Sequence, residues 1–178
     1  TADPHDLTLV VEKAKEQFET YGQSGAELIL NEYNYVENWE GEGWLKTIRK
    51  EKGIEGASFT AAAMCLMQHS PLAMLMYYDA RPCGMNGLFA TDTLAPLKGY
   101  YALKMFNELY RLGTAVNARS EDAALYLCAA KDGAGKGAAL FTYFPVGETG
   151  AKKETKIVFG GMNEGKKKVV FFLLNEEN

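Results

Sequence analysis

Apolar positions near the start of the chain recur every three or four residues, the spacing of one face of an α-helix. They are Leu7, Val11, Ala14, Phe18 and Tyr21. Asp3 or Asp6 can cap this helix at its start, and the glycines that follow Tyr21 end it. A short apolar run at residues 27–30 then predicts a buried strand, and the Gly- and Glu-rich residues 38–52 predict a long loop.

The same spacing of apolar residues returns twice in the next part of the chain. A helix is predicted from Ser58, a good capping residue, to Pro71, which cannot continue a helix. Residues 72–78, with the sequence LAMLMYY, form a continuous apolar run typical of a strand that is buried on both faces. Pro96 can open a third helix that ends at Gly113. Helices and strands in this order predict parallel strands covered by helices.

After Gly113 the pattern changes to short alternating runs that are separated by Gly- and Lys-rich turns. Four strands are predicted there, at residues 123–131, 138–146, 155–160 and 168–174. They indicate a small antiparallel β-sheet or part of a β-sandwich, with a boundary near residues 111–116. We therefore expect an α/β domain over residues 1–113 and a small β-sandwich-like domain over residues 114–178.

The composition narrows the class of protein. A chain of 178 residues that is 47% hydrophobic can bury a core, and its net charge of −4 gives no reason to expect nucleic acid or an anionic membrane as a partner. No apolar run approaches about 18 residues, so we expect a soluble protein without a membrane span. No signal peptide is visible, and a start without Met is compatible with a mature or excised chain. The sequence leaves the compartment open, and a secreted or periplasmic bacterial protein is one of the options.

Cysteine and histidine residues give no sign of a metal or disulfide framework. Cys65, Cys83 and Cys128 are widely spaced and include no CxxC pair, so we expect three free thiols, with Cys65 and Cys128 buried. His5 and His69 lack metal-ligand neighbours at helical spacing. We expect neither a metal nor another cofactor.

A carboxylate at the end of the first predicted strand, Glu32, is surrounded in the sequence by aromatic and amide side chains of the kind that bind sugars. These neighbours are Asn31, Tyr33, Asn34, Tyr35, Asn38, Trp39 and Trp44. Tyr77, Tyr78 and Asp79 end the next predicted strand. Aromatic rings can cover the apolar faces of a sugar. Each ring could equally be core or loop packing, Glu32 could be an ordinary solvated residue, and Arg81 could pair with Asp79.

Three segments resemble the C-terminal portion of a clan A glycoside hydrolase, most closely the family 39 group of β-xylosidase-like enzymes. They are LILNEYN at residues 28–34, LAMLMYYDARP at residues 72–82 and LKGYYALKMFNELYRLG at residues 97–113. The resemblance implies the last two strand–helix units of a (β/α)8 barrel, strands seven and eight, followed by a β-sandwich. It makes Glu32 the catalytic nucleophile and implies that a carbohydrate binds Asn34, Tyr35, Trp39, Tyr77, Tyr78 and Asp79.

The resemblance also implies that the catalytic machinery is incomplete. A retaining glycosidase uses two carboxyl groups about 5–5.5 Å apart, one as nucleophile and one as acid/base. In the family the acid/base Glu lies in an Asn-Glu pair on strand four, which would precede this chain. Two strand–helix units cannot close a barrel of about 250 residues. We therefore expect a fragment of a retaining enzyme that is inactive by itself, and we assign the acid/base role to none of Glu37, Glu40 and Glu42.

Two other classes of function compete with this interpretation. A non-catalytic carbohydrate-binding or accessory module would use the same aromatic residues without bond cleavage. A structural domain that self-associates is the third alternative. Lone barrel strands would expose apolar flanks and unpaired edges, so a homo-oligomer that covers them is also expected.

Overall fold

The computed structural model describes residues 1–148, 153–162 and 165–178 of the chain. Its elements follow one another in the order α1 Pro4–Thr20, β1 Leu28–Tyr33, α2 Gly41–Lys52, α3 Ile54–Met67, β2 Leu72–Tyr77, α4 Lys98–Tyr110, β3 Thr114–Val116, β4 Leu125–Lys131 and β5 Gly137–Tyr143. β1 and β2 form a parallel pair, and β3, β4 and β5 form an antiparallel sheet. The predicted combination of an α/β part and an antiparallel sheet is confirmed.

The first helix forms where its apolar spacing predicts it. The Asp3 side chain accepts a hydrogen bond of 2.9 Å from the backbone N–H of His5, and Pro4 occupies the first turn, where its missing N–H costs nothing. Leu7 and Val11 are buried against the core. Gly22, with φ of +69°, follows the end of the helix in the left-handed region that glycine adopts easily.

The prediction of a loop over residues 38–52 is wrong, because residues 41–52 form α2. The side chains that this helix buries most deeply are Thr47 and Glu51, so its inner face lacks the apolar stripe that marks most helices. Its charges suit the helix dipole, with Glu42 in the first turn and Arg49 and Lys50 in the last. The sequence did not predict this helix because its buried side chains are polar, although its charges are distributed as in other helices.

Helix α3 is the centre of the molecule and begins at Ile54, earlier than the predicted start at Ser58. Phe59 is fully buried, and the small side chains of Ala62 and Ala63 allow close packing on this helix. At Gly56 a Cβ atom would lie 1.9 Å from the carbonyl oxygen of Glu51. Only glycine therefore permits the close approach of the α2 end to α3.

Strand β2 differs from its prediction because only one of its faces is covered. Met74 remains 51% exposed and Met76 is also exposed, while Leu72, Leu75 and Tyr77 pack toward the core. β1 pairs with β2 in parallel, with Leu28 opposite Leu72 and Tyr33 opposite Tyr77. Among the described residues these two strands have no further partner strand. The continuous apolar run thus forms a strand with a bare outer face.

The antiparallel sheet contains two of the four strands predicted after Gly113. β4 and β5 pair from Leu125 opposite Tyr143 to Lys131 opposite Gly137, and the short β3 pairs with the end of β4. The strands predicted at residues 155–160 and 168–174 do not form. Alternation of apolar residues is a local signal, whereas a strand also needs a neighbouring strand to which it can hydrogen-bond. Residues 168–174 have no such neighbour among the described residues, and the side chains from Val169 to Leu173 are exposed.

Side chains from both sides of residue 113 share one core cluster. Tyr35 and Phe59 pack edge-on against Phe144, which follows β5, and the sulfurs of Cys65 and Cys128 meet between α3 and β4. The proposed division into domains at residue 113 stays a prediction. The shared core nevertheless holds the antiparallel sheet against the helices that support β1 and β2.

Candidate functional site

A cavity of about 210 Å³ opens where β1 and β2 end. The carboxyl ends of parallel strands lie at the same edge of a sheet, which brings residues 32–34 and residue 78 together. The cavity is lined by Thr1, Leu7, Glu32, Tyr33, Asn34, Val36, Trp39, Tyr78 and Met85. Four of the residues predicted for a sugar site, Glu32, Asn34, Trp39 and Tyr78, therefore border one cavity.

Two amide side chains fix the end of β2 beside this cavity. The Nδ2 atoms of Asn34 and Asn86 donate hydrogen bonds of 2.9 and 3.2 Å to the carbonyl oxygen of Tyr78. The backbone N–H of Tyr78 donates in turn to the carbonyl of Tyr33 at 2.9 Å. The peptide bond from Tyr78 to Asp79 is cis. Asn86 is 1% exposed and had no signal in the sequence, since it lies in a loop with no periodicity.

Glu32 lies near the end of β1 with its side chain exposed at the rim of the cavity. Among the described residues it takes part in no side-chain hydrogen bond or ion pair, so both carboxylate oxygens can accept hydrogen bonds from a ligand's hydroxyl groups. It is also the one carboxylate among the described residues that line this cavity. The arrangement provides a single acidic group beside an aromatic and amide surface.

Trp39 offers an aromatic face at the same opening. It is 65% exposed and stacks on Trp44 of α2, with ring centroids 5.2 Å apart and ring planes inclined by 16°. The loop before α2 is held by Asn38, whose backbone N–H donates to the Thr47 hydroxyl at 2.9 Å. An exposed indole supported from behind is a suitable platform for the apolar face of a ring-shaped ligand.

Tyr35, expected to bind substrate, lies in the core instead of the cavity. It is 5% exposed and packs edge-on against Phe59 and Phe144, with ring centroids 5.6 and 6.3 Å away. Burial raises the pKa of its phenol. The chain leaves β1 after Tyr33, so the alternation of the strand does not carry Tyr35 to the open face. This residue stabilises the fold beneath the site.

Tyr77 also turns away from the cavity. Its phenol donates a hydrogen bond to Oε1 of Glu51 in α2, and its ring packs edge-on against Tyr33 with centroids 5.6 Å apart. Tyr78 follows the last residue of β2 and lines the cavity, whereas Tyr77 does not. Tyr77 therefore supports β2 through Glu51 and Tyr33.

Asp79 forms an ion pair with Arg81, which was the alternative to its predicted role in binding a sugar. Its Oδ2 lies 2.6 Å from Nε of Arg81, and its Oδ1 accepts a hydrogen bond of 3.2 Å from the backbone N–H of Arg81. Hydrogen bonding to Asp79 raises the pKa of the exposed Arg81 guanidinium. Nη2 of Arg81 lies 3.3 Å from the phenol oxygen of Tyr78. Asp79 thus acts on the cavity through Arg81 and Tyr78 and does not line it.

Glu51 is an ionisable residue near the site that sequence reasoning missed. It is 4% exposed, and burial raises its pKa to about 7, an effect that the hydrogen bond from Tyr77 partly opposes. Its Oε2 atom has no hydrogen-bond partner among the described residues. Burial also raises the pKa of Tyr77 and that of Tyr33. Only recognition of α2 as a helix could have placed this carboxyl group beneath β2.

The described residues contain neither a metal-binding cluster nor a membrane-spanning helix. Within residues 1–148, 153–162 and 165–178, no group of three or more His, Cys, Asp or Glu side chains is arranged to hold a metal ion. In those ranges no helix is long and apolar enough to cross a membrane.

The fold of this chain is similar to part of a solved glucosidase structure. The chain is similar to a glucosidase from Croceicoccus marinus, with a TM-score of 0.62 and 18% sequence identity over 82% of this chain and 31% of that one. The chain thus spans less than a third of the length of that protein. No protein-family model and no curated protein matches the sequence. The similarity confirms the expected glycosidase-like fold, while family 39 in particular stays a prediction.

Proposed function

We propose that this chain is part of a retaining glycoside hydrolase and binds carbohydrate in the cavity at the ends of β1 and β2. The observation that carries the proposal is the meeting of Glu32, Asn34, Trp39 and Tyr78 around that cavity. The fold shared with part of a glucosidase supports it independently. In this proposal the cavity takes one sugar unit, and family 39 is the group that the strand-end segments resemble.

Each of the four side chains has a chemical role in the proposed site. The carboxylate of Glu32 is the nucleophile that would attack the anomeric carbon. Trp39 packs against the apolar face of the sugar, and the phenol of Tyr78 offers a hydrogen bond to a hydroxyl group. Asn34 holds the end of β2 through the Tyr78 carbonyl, so it positions the ring of Tyr78 beside Glu32.

The same cavity cannot complete the reaction with the residues described. Double displacement needs a carboxylic acid about 5–5.5 Å from the nucleophile to protonate the leaving oxygen. Glu32 is the one carboxylate among the described lining residues, so no proton donor of that kind faces it. We therefore propose that the chain alone binds sugar without cleaving it, and that the acid/base group belongs to a preceding part of a longer enzyme.

A non-catalytic carbohydrate-binding module is the second candidate, and the stacked Trp39 and Trp44 pair favours it. An exposed indole braced by a second ring is a binding surface that needs no catalytic partner. The two candidates agree on the binding surface and differ over Glu32. A module would bind without the carboxylate, whereas a glycosidase site would use it to contact the sugar.

The decisive experiment is a titration of the purified chain with xylose, glucose and their short β-linked oligomers, followed through the indole N–H signals in NMR. Sugar should shift the Trp39 signal, and Asn34→Ala should weaken binding by loosening the end of β2. Glu32→Gln should weaken it if the carboxylate contacts the sugar, and unchanged affinity in that variant would favour the module. The control Glu12→Gln changes an exposed acid on α1 and should bind as the parent does.

Two results would overturn the proposal itself. If no sugar shifts the signals of residues around the cavity, the site does not bind carbohydrate. If the chain alone releases the aryl group from aryl xylosides or glucosides, and Glu32→Gln abolishes that release, the claim of inactivity is wrong. Sequencing the reading frame before Thr1 provides a separate check, because the fragment hypothesis expects an Asn-Glu pair at the end of an earlier strand.

A further inference from the structure

Two cysteine side chains meet between the helical layer and the antiparallel sheet. The Sγ atoms of Cys65 in α3 and Cys128 in β4 lie 3.2 Å apart, although the residues are 63 positions apart in the sequence. Both residues are buried. A disulfide has an S–S bond of about 2.05 Å, so an approach of about 1 Å would bring these atoms to bonding distance. Rotation of two side chains can supply a movement of that size.

A second cavity lies beside one of these two cysteines. It has a volume of about 500 Å³, within the range of small-molecule sites, and Cys128 is one of its lining residues. Its walls come from α4, β3 and β4 and include Phe106, Leu109, Val116 and Ala130. Cys65 does not line it. An entering reagent would therefore meet Cys128 first.

We propose that Cys65 and Cys128 form a dithiol–disulfide pair that locks α3 to β4, oxidised by a small disulfide that enters through the cavity beside Cys128. The proposal depends on the distance between the two sulfurs and on the cavity. It is independent of any binding of carbohydrate at the cavity beside Glu32.

The chemistry requires two exchange steps. The thiolate of Cys128 attacks one sulfur of glutathione disulfide, the S–S bond of the reagent breaks, and one glutathione thiolate leaves. The thiolate of Cys65 then attacks Sγ of Cys128, forms the protein disulfide and releases the second glutathione. The two protein thiols lose two electrons and two protons, and both are recovered in two molecules of glutathione.

The environment of the pair favours this order of attack. The Cys65 thiol donates its hydrogen to the sulfur of Cys128, an interaction that lowers the pKa of Cys128 and raises that of Cys65. Burial opposes ionisation of both groups. The place of Cys128 in the cavity lining, together with this direction of the pKa shift, favours Cys128 as the first thiol to react.

The test uses the full chain with Cys83→Ser, because Cys83 is partly exposed and would react independently. The folded protein is incubated with glutathione disulfide, denatured, treated with an alkylating reagent and weighed by mass spectrometry. We expect both remaining thiols to be lost to alkylation, the mass to fall by two hydrogens, and a peptide that contains Cys65 joined to Cys128. Dithiothreitol should restore both thiols.

Two further variants, which cannot form the disulfide between Cys65 and Cys128, test which thiol reacts first. In the Cys83→Ser background, Cys65→Ser should stop at a glutathione adduct on Cys128, whereas Cys128→Ser should gain none on Cys65. An adduct on Cys65 in the second variant would overturn the assigned order. The proposal fails if both thiols of the parent remain open to alkylation after excess glutathione disulfide, or if oxidation yields only disulfides between chains.

Discussion

The buried carboxyl group of Glu51 should make the stability of this protein fall as pH rises from about 4.5 to about 7. Burial raises the pKa of Glu51 from 4.5 to about 7 in the folded chain. In this window the folded state holds a proton that the unfolded state has lost, so the free energy of unfolding decreases as pH rises. The stabilisation is complete below pH 4.5 and is lost once pH passes the folded pKa.

The size of the effect follows from the separation of the two pKa values. Each pH unit between them is equivalent to about 1.4 kcal/mol, so the interval from 4.5 to about 7 corresponds to about 3 kcal/mol. Glu51 is 4% exposed, and solvent therefore screens this effect only weakly. For a small domain, about 3 kcal/mol is a large share of the total stability.

The assay is urea denaturation of the parent and of Glu51→Gln at a series of pH values from 4.5 to 8. Glutamine keeps an oxygen for the Tyr77 phenol and does not titrate, so the stability of the variant relative to the parent should increase by about 3 kcal/mol across this range. The exposed Glu12→Gln serves as the matched control, and its difference from the parent should stay constant. Tyr77→Phe should raise the pKa of Glu51 further, since the phenol's hydrogen bond lowers it.

A flat difference between Glu51→Gln and the parent would refute the reasoning. It would mean that Glu51 has the same proton affinity in the folded and unfolded chains, so that burial does not control its ionisation. A difference that falls with rising pH would mean that an unrecognised partner stabilises the carboxylate. The pH dependence is decisive, because any constant cost of the substitution cancels from it.

Three further predictions concern the site, the cysteine pair and the bare sheet face. Asn86→Ala should lower the free energy of unfolding by about 1 kcal/mol in urea denaturation, because it removes a hydrogen bond to the end of β2; an unchanged midpoint would contradict this. Oxidation of Cys65 and Cys128 to a disulfide should raise the free energy of unfolding by about 4 kcal/mol, because the bond closes a loop of the unfolded chain. Equal stability of the reduced and oxidised forms would show that the disulfide strains the folded state. Light scattering should find self-association that Met74→Lys reduces, whereas a parent that stays at its monomer mass of 19.6 kDa when concentrated would contradict it.

The sequence predicted those parts of the fold whose signals are local. The spacing of Leu7 and Val11 and the capping by Asp3 were sufficient for α1, and the order of helices and strands was sufficient for a parallel β1 and β2. The predictions of strands at residues 155–160 and 168–174 were wrong, because an alternation of apolar and polar residues does not show whether a neighbouring strand is present. Helix α2 was not predicted because it forms without an apolar stripe: its most deeply buried side chains are those of Thr47 and Glu51.

The candidate site shows the same division between local and distant information. Glu32 and Tyr78 could be expected at one edge because parallel strands end together, and the structure brings both to one cavity. The burial of Tyr35 could not be expected, because it depends on Phe144, more than a hundred residues later in the sequence. The pairing of Asp79 with Arg81 likewise depends on the conformation of the loop after β2, which the spacing of residues in the sequence does not predict.

With a pKa of about 7, Glu51 has the proton affinity of an acid/base group, which makes it a candidate for the missing proton donor of the proposed site. Its geometry argues against that role. It does not line the cavity beside Glu32, it is 4% exposed, and one of its oxygens accepts a hydrogen bond from Tyr77, which does not line the cavity either. Glu51 is therefore not placed to protonate a leaving group in the proposed site. The carboxyl group supports Tyr77 at the end of β2, so the proposed hydrolysis would need an acid from outside the described residues.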